Sequence, residues 1–329
     1  GANGRLIDLG TKFGVAVDDK GEMEVHVIEG IVDAEAKNGV TTRLRENQAM
    51  RLAGGLGGSV GEADAGAFYT KMPPESSLSP KFVRWSFDEE EGTECLDTGR
   101  ELGRGSASAK FMADAEGGRF PRRVKGRFSK GLFLDGSGYL ASKFGGVEHA
   151  GARTVAFWVK VPEDFGEGEG FGIVNWGSYV KEGAAWQVAI NSVEEEGPEG
   201  RLRIGTNGGE VIGVTDLRDG EWHHCAVVLY GDQDGKPNTA THILLYVDGN
   251  IEGTSRKSVR VIDTSLPTQE PQSEPKVWLG RNLGHRDGKR PGRHGKYFRG
   301  GLDELIISDQ ALSLRQINEL MRSNRMPSD

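Results

Sequence analysis

Fifty glycines lie scattered through the 329 residues without a fixed period. So many tight turns cut a chain into short pieces and leave little room for long helices. The pieces are apolar or alternating runs of strand length, such as Ala226 to Tyr230 and Ile243 to Val247. Asp248-Gly249 stands between two extended runs, where a primed hairpin turn needs positive φ at its centre. The sequence therefore predicts an all-β chain. The same runs are far too short to cross a bilayer as helices, so no membrane segment is expected.

Composition narrows the partners. A formal net charge of −8 argues against nucleic acid, whose binding rests on phosphate neutralisation, and mainly keeps the protein soluble. Two cysteines, Cys95 and Cys225, exclude a disulfide framework and a Cys-rich zinc site. Two buried free thiols are expected, with a single bridge as the alternative. Gly1-Ala2-Asn3-Gly4 carries no initiator Met and no signal region, which reads as a trimmed fragment whose export or anchoring signal lies upstream.

Three segments are predicted. Residues 1–53 read as a small, turn-dense β domain with strands around Leu6 to Leu9, Phe13 to Val17, Glu24 to Ile28, Ile31 to Glu35, Thr42 to Leu44 and Ala49 to Leu52. Residues 54–80, rich in Gly, Pro and Ser, read as a linker. Residues 81–329 read as an antiparallel sandwich of about eleven short strands. It closes on a helix where Ser313 and Gln316 have capping-box spacing and Leu314, Ile317, Leu320 and Met321 share a face.

The phrases Asp8-Leu9-Gly10-Thr11-Lys12-Phe13-Gly14-Val15, Val25-His26-Val27-Ile28-Glu29-Gly30 and Arg45-Glu46-Asn47-Gln48-Ala49 resemble the FecR domain, here in partial form. That resemblance implies an extracytoplasmic sensor of the anti-sigma type. Its sigma-factor partner would be reached through a region outside this chain. In the second domain, Trp85-Ser86-Phe87-Asp88-Glu89, Phe133-Leu134-Asp135-Gly136, Ala156-Phe157-Trp158-Val159, Trp222-His223-His224-Cys225, Tyr246-Val247-Asp248-Gly249 and Gly301-Leu302-Asp303-Glu304-Leu305 occur in that order. The ordered set resembles the laminin G-like family of concanavalin A-like jelly rolls. Such sandwiches are usually binding modules, so the expected function is non-enzymatic recognition of a carbohydrate, with a surface protein as the alternative ligand.

The acidic runs Asp88 to Glu91 and Glu194 to Glu196 adjoin Gly-rich turns and read as solvated, not as the facing pair a glycoside hydrolase needs. His223 and His224 are neighbours on a strand, point to opposite faces and do not readily share one ion. Trp176, Tyr179 and Trp186, in or beside strand ends, are candidate sugar-stacking residues. Trp158, Trp222 and Trp278 read as core. Between Gly280 and Gly300 stand Arg281, Arg286, Lys289, Arg290, Arg293, Lys296 and Arg299. They form either a clamp for an acidic glycan or a loop neutralised by the acidic surface. Jelly rolls of this family commonly bridge an early loop to the late strand with calcium, which would place a structural Ca2+ between Asp97 and Asp303. The alternative is an Asp303 held by hydrogen bonds alone.

Overall fold

Every predicted run forms a strand, and the reason is visible in its alternation. In Ile31–Ala36 each second side chain is buried and each intervening one is half-exposed, as a pleat with one covered face requires. The computed structural model describes residues 3–17, 21–64, 79–103, 107–115, 117–179, 181–231, 236–265, 277–283 and 297–327. The chain divides into two units, Gly1–Thr70 and Lys71–Asp329.

The first unit holds two sheets among its described residues. One orders Gly4–Asp8, Ile31–Ala36 and Thr41–Arg45; the other orders Lys12–Val17, Met23–Glu29, Gln48–Ala53 and Leu56–Glu62. Val25, Val27, Val32, Ala34, Leu44 and Leu52 are fully buried within it. The expected linker begins too early at residue 54. Gly54 and Gly55 both take positive φ, at 57° and 81°, and turn the chain back as a hairpin. Leu56–Glu62 then pairs with Gln48–Ala53 as a seventh strand. The Pro73-Pro74 stretch lies outside the described residues.

The second unit is a two-sheet antiparallel sandwich. Among the described residues, nine strands run in the order Thr254–Ser258, Gly209–Gly213, Leu202–Thr206, Ala185–Ile190, Gly172–Gly177, Val277–Leu279, Gly138–Ser142, Ala109–Ala113 and Glu94–Cys95. The facing sheet orders Arg122–Lys125, Lys130–Asp135, Arg299–Ser308, Arg153–Lys160, Trp222–Leu229, Ile243–Val247 and Asn250–Ile251. Phe82–Trp85 pairs with the far half of Arg299–Ser308. Inward residues of both sheets meet in one core that includes Trp85, Phe157, Trp176, Trp186, Val227, Leu245 and Leu305. All eleven expected strands are present. The six unforeseen ones (Glu94–Cys95, Ala109–Ala113, Arg122–Lys125, Gly209–Gly213, Asn250–Ile251 and Thr254–Ser258) lie at or next to sheet margins, where short length and missing neighbours weaken the apolar pattern.

Two local signals hold in detail. Asp248 and Gly249 take φ of 48° and 77°, the backbone a two-residue primed hairpin demands, and Val247 pairs with Asn250 across it. Ser313 and Gln316 make the reciprocal capping box that starts the helix Leu314–Ser323. Its covered face differs from the expected one. Gln316, Ile317 and Leu320 are buried, whereas Leu314 is 37% exposed.

Candidate functional site

The alternation that builds the core also builds the opposite face of the nine-stranded sheet. Trp186, Val188, Ile190, Leu202, Ile204 and Val211 point into the sandwich. Gln187, Arg203 and Glu210 occupy the opposite phase on three neighbouring strands and stand on the outer face. Phe171 and Tyr179, at the two ends of Gly172–Gly177, and Glu196, on the short 3-10 turn Glu194–Glu196, close around them. Together they line a cavity of about 450 Å³. That is within the size range of small-molecule sites.

Arg203 organises the floor of this cavity. It donates to Glu210 Oε2 at 2.8 Å and to Asn191 Oδ1 at 3.2 Å, and the Glu196 carboxylate closes on the same Nη2. Its guanidinium stacks 5.4 Å from the Phe171 ring, and its Nε is buried without a hydrogen-bond partner. Arg203 is 7% exposed and its pair with Glu210 is buried, whereas the Glu196 partner remains partly open to water. Tyr179 is 41% exposed, yet its hydroxyl end is enclosed. Burial raises that phenol to about 12, opposed by Arg203 and aided by Glu196 and Glu210. Asn207 donates to the Tyr179 carbonyl at 2.9 Å and accepts from the Gly183 amide at 2.8 Å, which pins the rim.

Of the aromatic candidates, the structure brings Tyr179 to the cavity and withdraws the other two. Trp176 and Trp186 are fully buried, pack 5.8 Å apart in the sandwich core and cannot stack on a ligand. Their strand phase faces inward, a choice that alternation alone leaves open. Trp158 and Trp278 are buried as expected, but on the outer faces of the sheets; Trp222 is only partly covered. Trp278 shares a small cluster with Ala141, Ala185 and Leu283.

The cationic loop is described only at its ends. Arg286, Lys289, Arg290, Arg293 and Lys296 lie outside the described residues. Arg281 is turned onto its own protein, its guanidinium 4.0 Å from the Trp278 ring and 4.8 Å from that of Tyr139. Arg299 pairs with Glu169 at 2.5 Å and with Asp164 at 3.0 Å. Arg281 thus lies over aromatic faces, with its Nε buried and without a hydrogen-bond partner, and Arg299 is engaged by an acidic loop.

Asp97 and Asp303 serve separate elements. Asp97 Oδ1 accepts from the amides of Arg84 and Gly99, at 3.0 and 2.8 Å. Asp303 Oδ2 accepts from the Phe128 amide at 2.9 Å, while its Oδ1 is buried without a hydrogen-bond partner. Among the described residues no group of three or more His, Cys, Asp or Glu side chains gathers at metal-binding distance. Calcium takes six to eight oxygens, and the Asp97 and Asp303 carboxylates accept from different backbone amides. Burial instead pushes the Asp303 carboxyl up to about 8. His223 lies between Asp248, 2.7 Å away, and Asp219, 3.1 Å away, whereas His224 is buried edge-on against Trp158. The two rings diverge as strand geometry requires.

Sequence reasoning missed Phe171, Gln187, Glu196, Arg203 and Glu210. A signal for three of them exists. Each of the runs Ala185–Ile190, Leu202–Thr206 and Gly209–Gly213 carries one strongly polar residue amid apolar ones, placed where the outward phase falls. Glu196, expected as a solvated turn acid, reaches back to Arg203.

Residues 134–318 match the Laminin_G_3 family, described as the concanavalin A-like lectin/glucanases superfamily. Domain 4 of an extracellular arabinanase from Geobacillus stearothermophilus, in complex with arabinotriose, superposes with a TM-score of 0.49 and 20% identity, covering 74% of this chain and 100% of that one. A botulinum neurotoxin binding domain of serotype D/C gives 0.46 at 12% identity and covers 74% of this chain. The binding domain of Paraclostridial Mosquitocidal Protein 1 gives 0.46 at 15% identity and covers 75%. The chain spans about half, 52%, of each toxin domain. No curated protein matches the chain.

Proposed function

The chain belongs to the concanavalin A-like lectin/glucanases superfamily, and from that premise we propose that its second unit is a carbohydrate-binding module without catalytic activity. The observation that carries the reading is the cavity on the outer face of the nine-stranded sheet. It combines the ring surfaces of Phe171 and Tyr179 with the polar groups of Gln187, Arg203 and Glu210. Aromatic walls beside fixed hydrogen-bonding groups suit a ring that has an apolar face and a hydroxylated edge.

The same geometry supports binding over hydrolysis. Glycoside hydrolysis requires one carboxyl kept protonated to act as an acid. Both cavity carboxylates are instead ion-paired to a single guanidinium, that of Arg203. Asp303 and Glu304, the carboxyls that burial does raise, belong to the opposite sheet.

Location and signalling complete the proposal. The module works outside the cytoplasm, and the first unit, through its likeness to FecR, relays occupancy towards an anti-sigma system. Glycan-array binding by the full chain tests the core of the reading, with Arg203→Ala and Tyr179→Ala as controls. Specific hits lost in both variants support it. A blank array, or hits that survive both substitutions, refutes this site.

A further inference from the structure

The cavity carries an unequal set of charges. Among the described residues that line it, Glu196 and Glu210 are acidic and Arg203 is basic, a net charge of −1. The cation of that set is already engaged. Arg203 Nη2 faces both carboxylates, Nη1 donates to Asn191, and Nε is buried above the Phe171 ring. No fork of that guanidinium is left open to the bidentate grip by which arginine captures a carboxylate or sulfate. The Tyr179 phenol, which lines the same cavity, is raised to about 12 by burial and keeps its proton at neutral pH.

An anionic sugar entering this space would meet two carboxylates at close range in a partly desolvated pocket, with a guanidinium that has little left to donate. Like charges repel strongly where water is scarce. A neutral sugar meets the opposite situation. Its hydroxyls are donors, and charged carboxylate oxygens are the strongest acceptors a protein offers them. Aromatic surface from Phe171 and Tyr179 is indifferent to the sugar's charge.

We infer that the Arg203-bridged carboxylate pair makes this cavity selective for neutral saccharides and excludes uronic-acid and sulfated ones. This deepens the carbohydrate-binding reading and rests on it.

The test is calorimetric titration of the full chain with a set of neutral oligosaccharides, each matched to a uronic-acid oligosaccharide of equal length. Wild-type protein should bind at least one neutral member and its acidic counterpart at least about tenfold more weakly, with the gap narrowing as salt is added. Glu196→Lys changes the cavity charge from −1 to +1 and should raise uronate affinity relative to neutral affinity by at least about tenfold. Glu196→Gln keeps the shape and should fall between the two. Glu196 stands on an exposed turn outside the core, and unchanged tryptophan emission verifies the fold of each variant.

Equal wild-type affinity for acidic and neutral sugars overturns the selectivity, as does a ratio that neither variant moves; the carbohydrate-binding reading survives both results. Absence of binding to every sugar in the set overturns the two together.

Discussion

Arg153 is the residue whose replacement tests the architecture most sharply. It is fully buried and its charge is held by neutral oxygens. Its guanidinium donates to the carbonyls of Val147 and His149, both at 2.7 Å, to that of Gly151 at 2.9 Å, and to Thr264 Oγ1 at 3.0 Å. It also lies 4.8 Å from the Trp186 ring. One side chain thus ties the 147–151 loop to the 264 segment and seats both over the paired core tryptophans. Hydrogen bonds from a charged donor are worth roughly 1.5–3 kcal/mol each, so four give about 6–12 kcal/mol gross. Removing the charge also relieves several kcal/mol of desolvation, and the net loss on breaking such buried networks is about 3–5 kcal/mol.

Arg153→Met keeps much of the volume and should cost that amount. At about 2–4 °C per kcal/mol for a unit of this size, Tm should fall by roughly 6–20 °C. All six tryptophans belong to the second unit, so thermal unfolding followed by their fluorescence reports that unit alone. Arg153→Lys retains a charge but not the planar fork, and should recover less than half the loss. A Tm within about 2 °C of wild type for Arg153→Met would show that the carbonyl cradle is not what holds these loops. Full recovery by lysine would show that charge matters and the fork does not.

Four further outcomes follow from the same structure. Asp303 has a folded-state value near 8 against an unfolded value of about 3.9, so the folded state binds the extra proton between them and stability is lost as pH rises through that window; Asp303→Asn should flatten this limb and be the more stable protein at pH 8.5 in urea titrations. His224 is opposite in sign: burial holds it near 4, so stability is complete above about 6.5 and lost as pH falls towards 4, and His224→Phe should remove that acid limb. Gly249→Ala should cost about 1–2 kcal/mol, because φ is 77° and the added Cβ would stand 2.4 Å from Asn318 Oδ1, loosening the helix from the hairpin; equal Tm values would contradict this. Burial raises both Cys95 and Cys225 thiols, so a thiol reagent at pH 8 should label neither until denaturant is added, and rapid native labelling would show one of them to be accessible.

Local chemistry fixed much of this protein. Asp248-Gly249 specifies its hairpin because few other residues accept positive φ in succession, and Ser313 with Gln316 specifies a helix start through bonds that span three residues. Strand existence follows from short apolar or alternating runs set between turns, and all eleven runs foreseen in the second unit are strands. Alternation does not say which of its two phases is covered. That choice belongs to the facing sheet, and it buried Trp176 and Trp186 while turning Gln187, Arg203 and Glu210 outward. Within Gly172–Gly177 a bulge even sends the adjacent Ile173 and Val174 both into the core, breaking the alternation that would have predicted their faces. The cavity is a tertiary product for the same reason. Its groups come from four strands, the two segments flanking Gly172–Gly177 and a 3-10 turn, and only strand register and loop closure bring Glu196 and Glu210 onto one guanidinium.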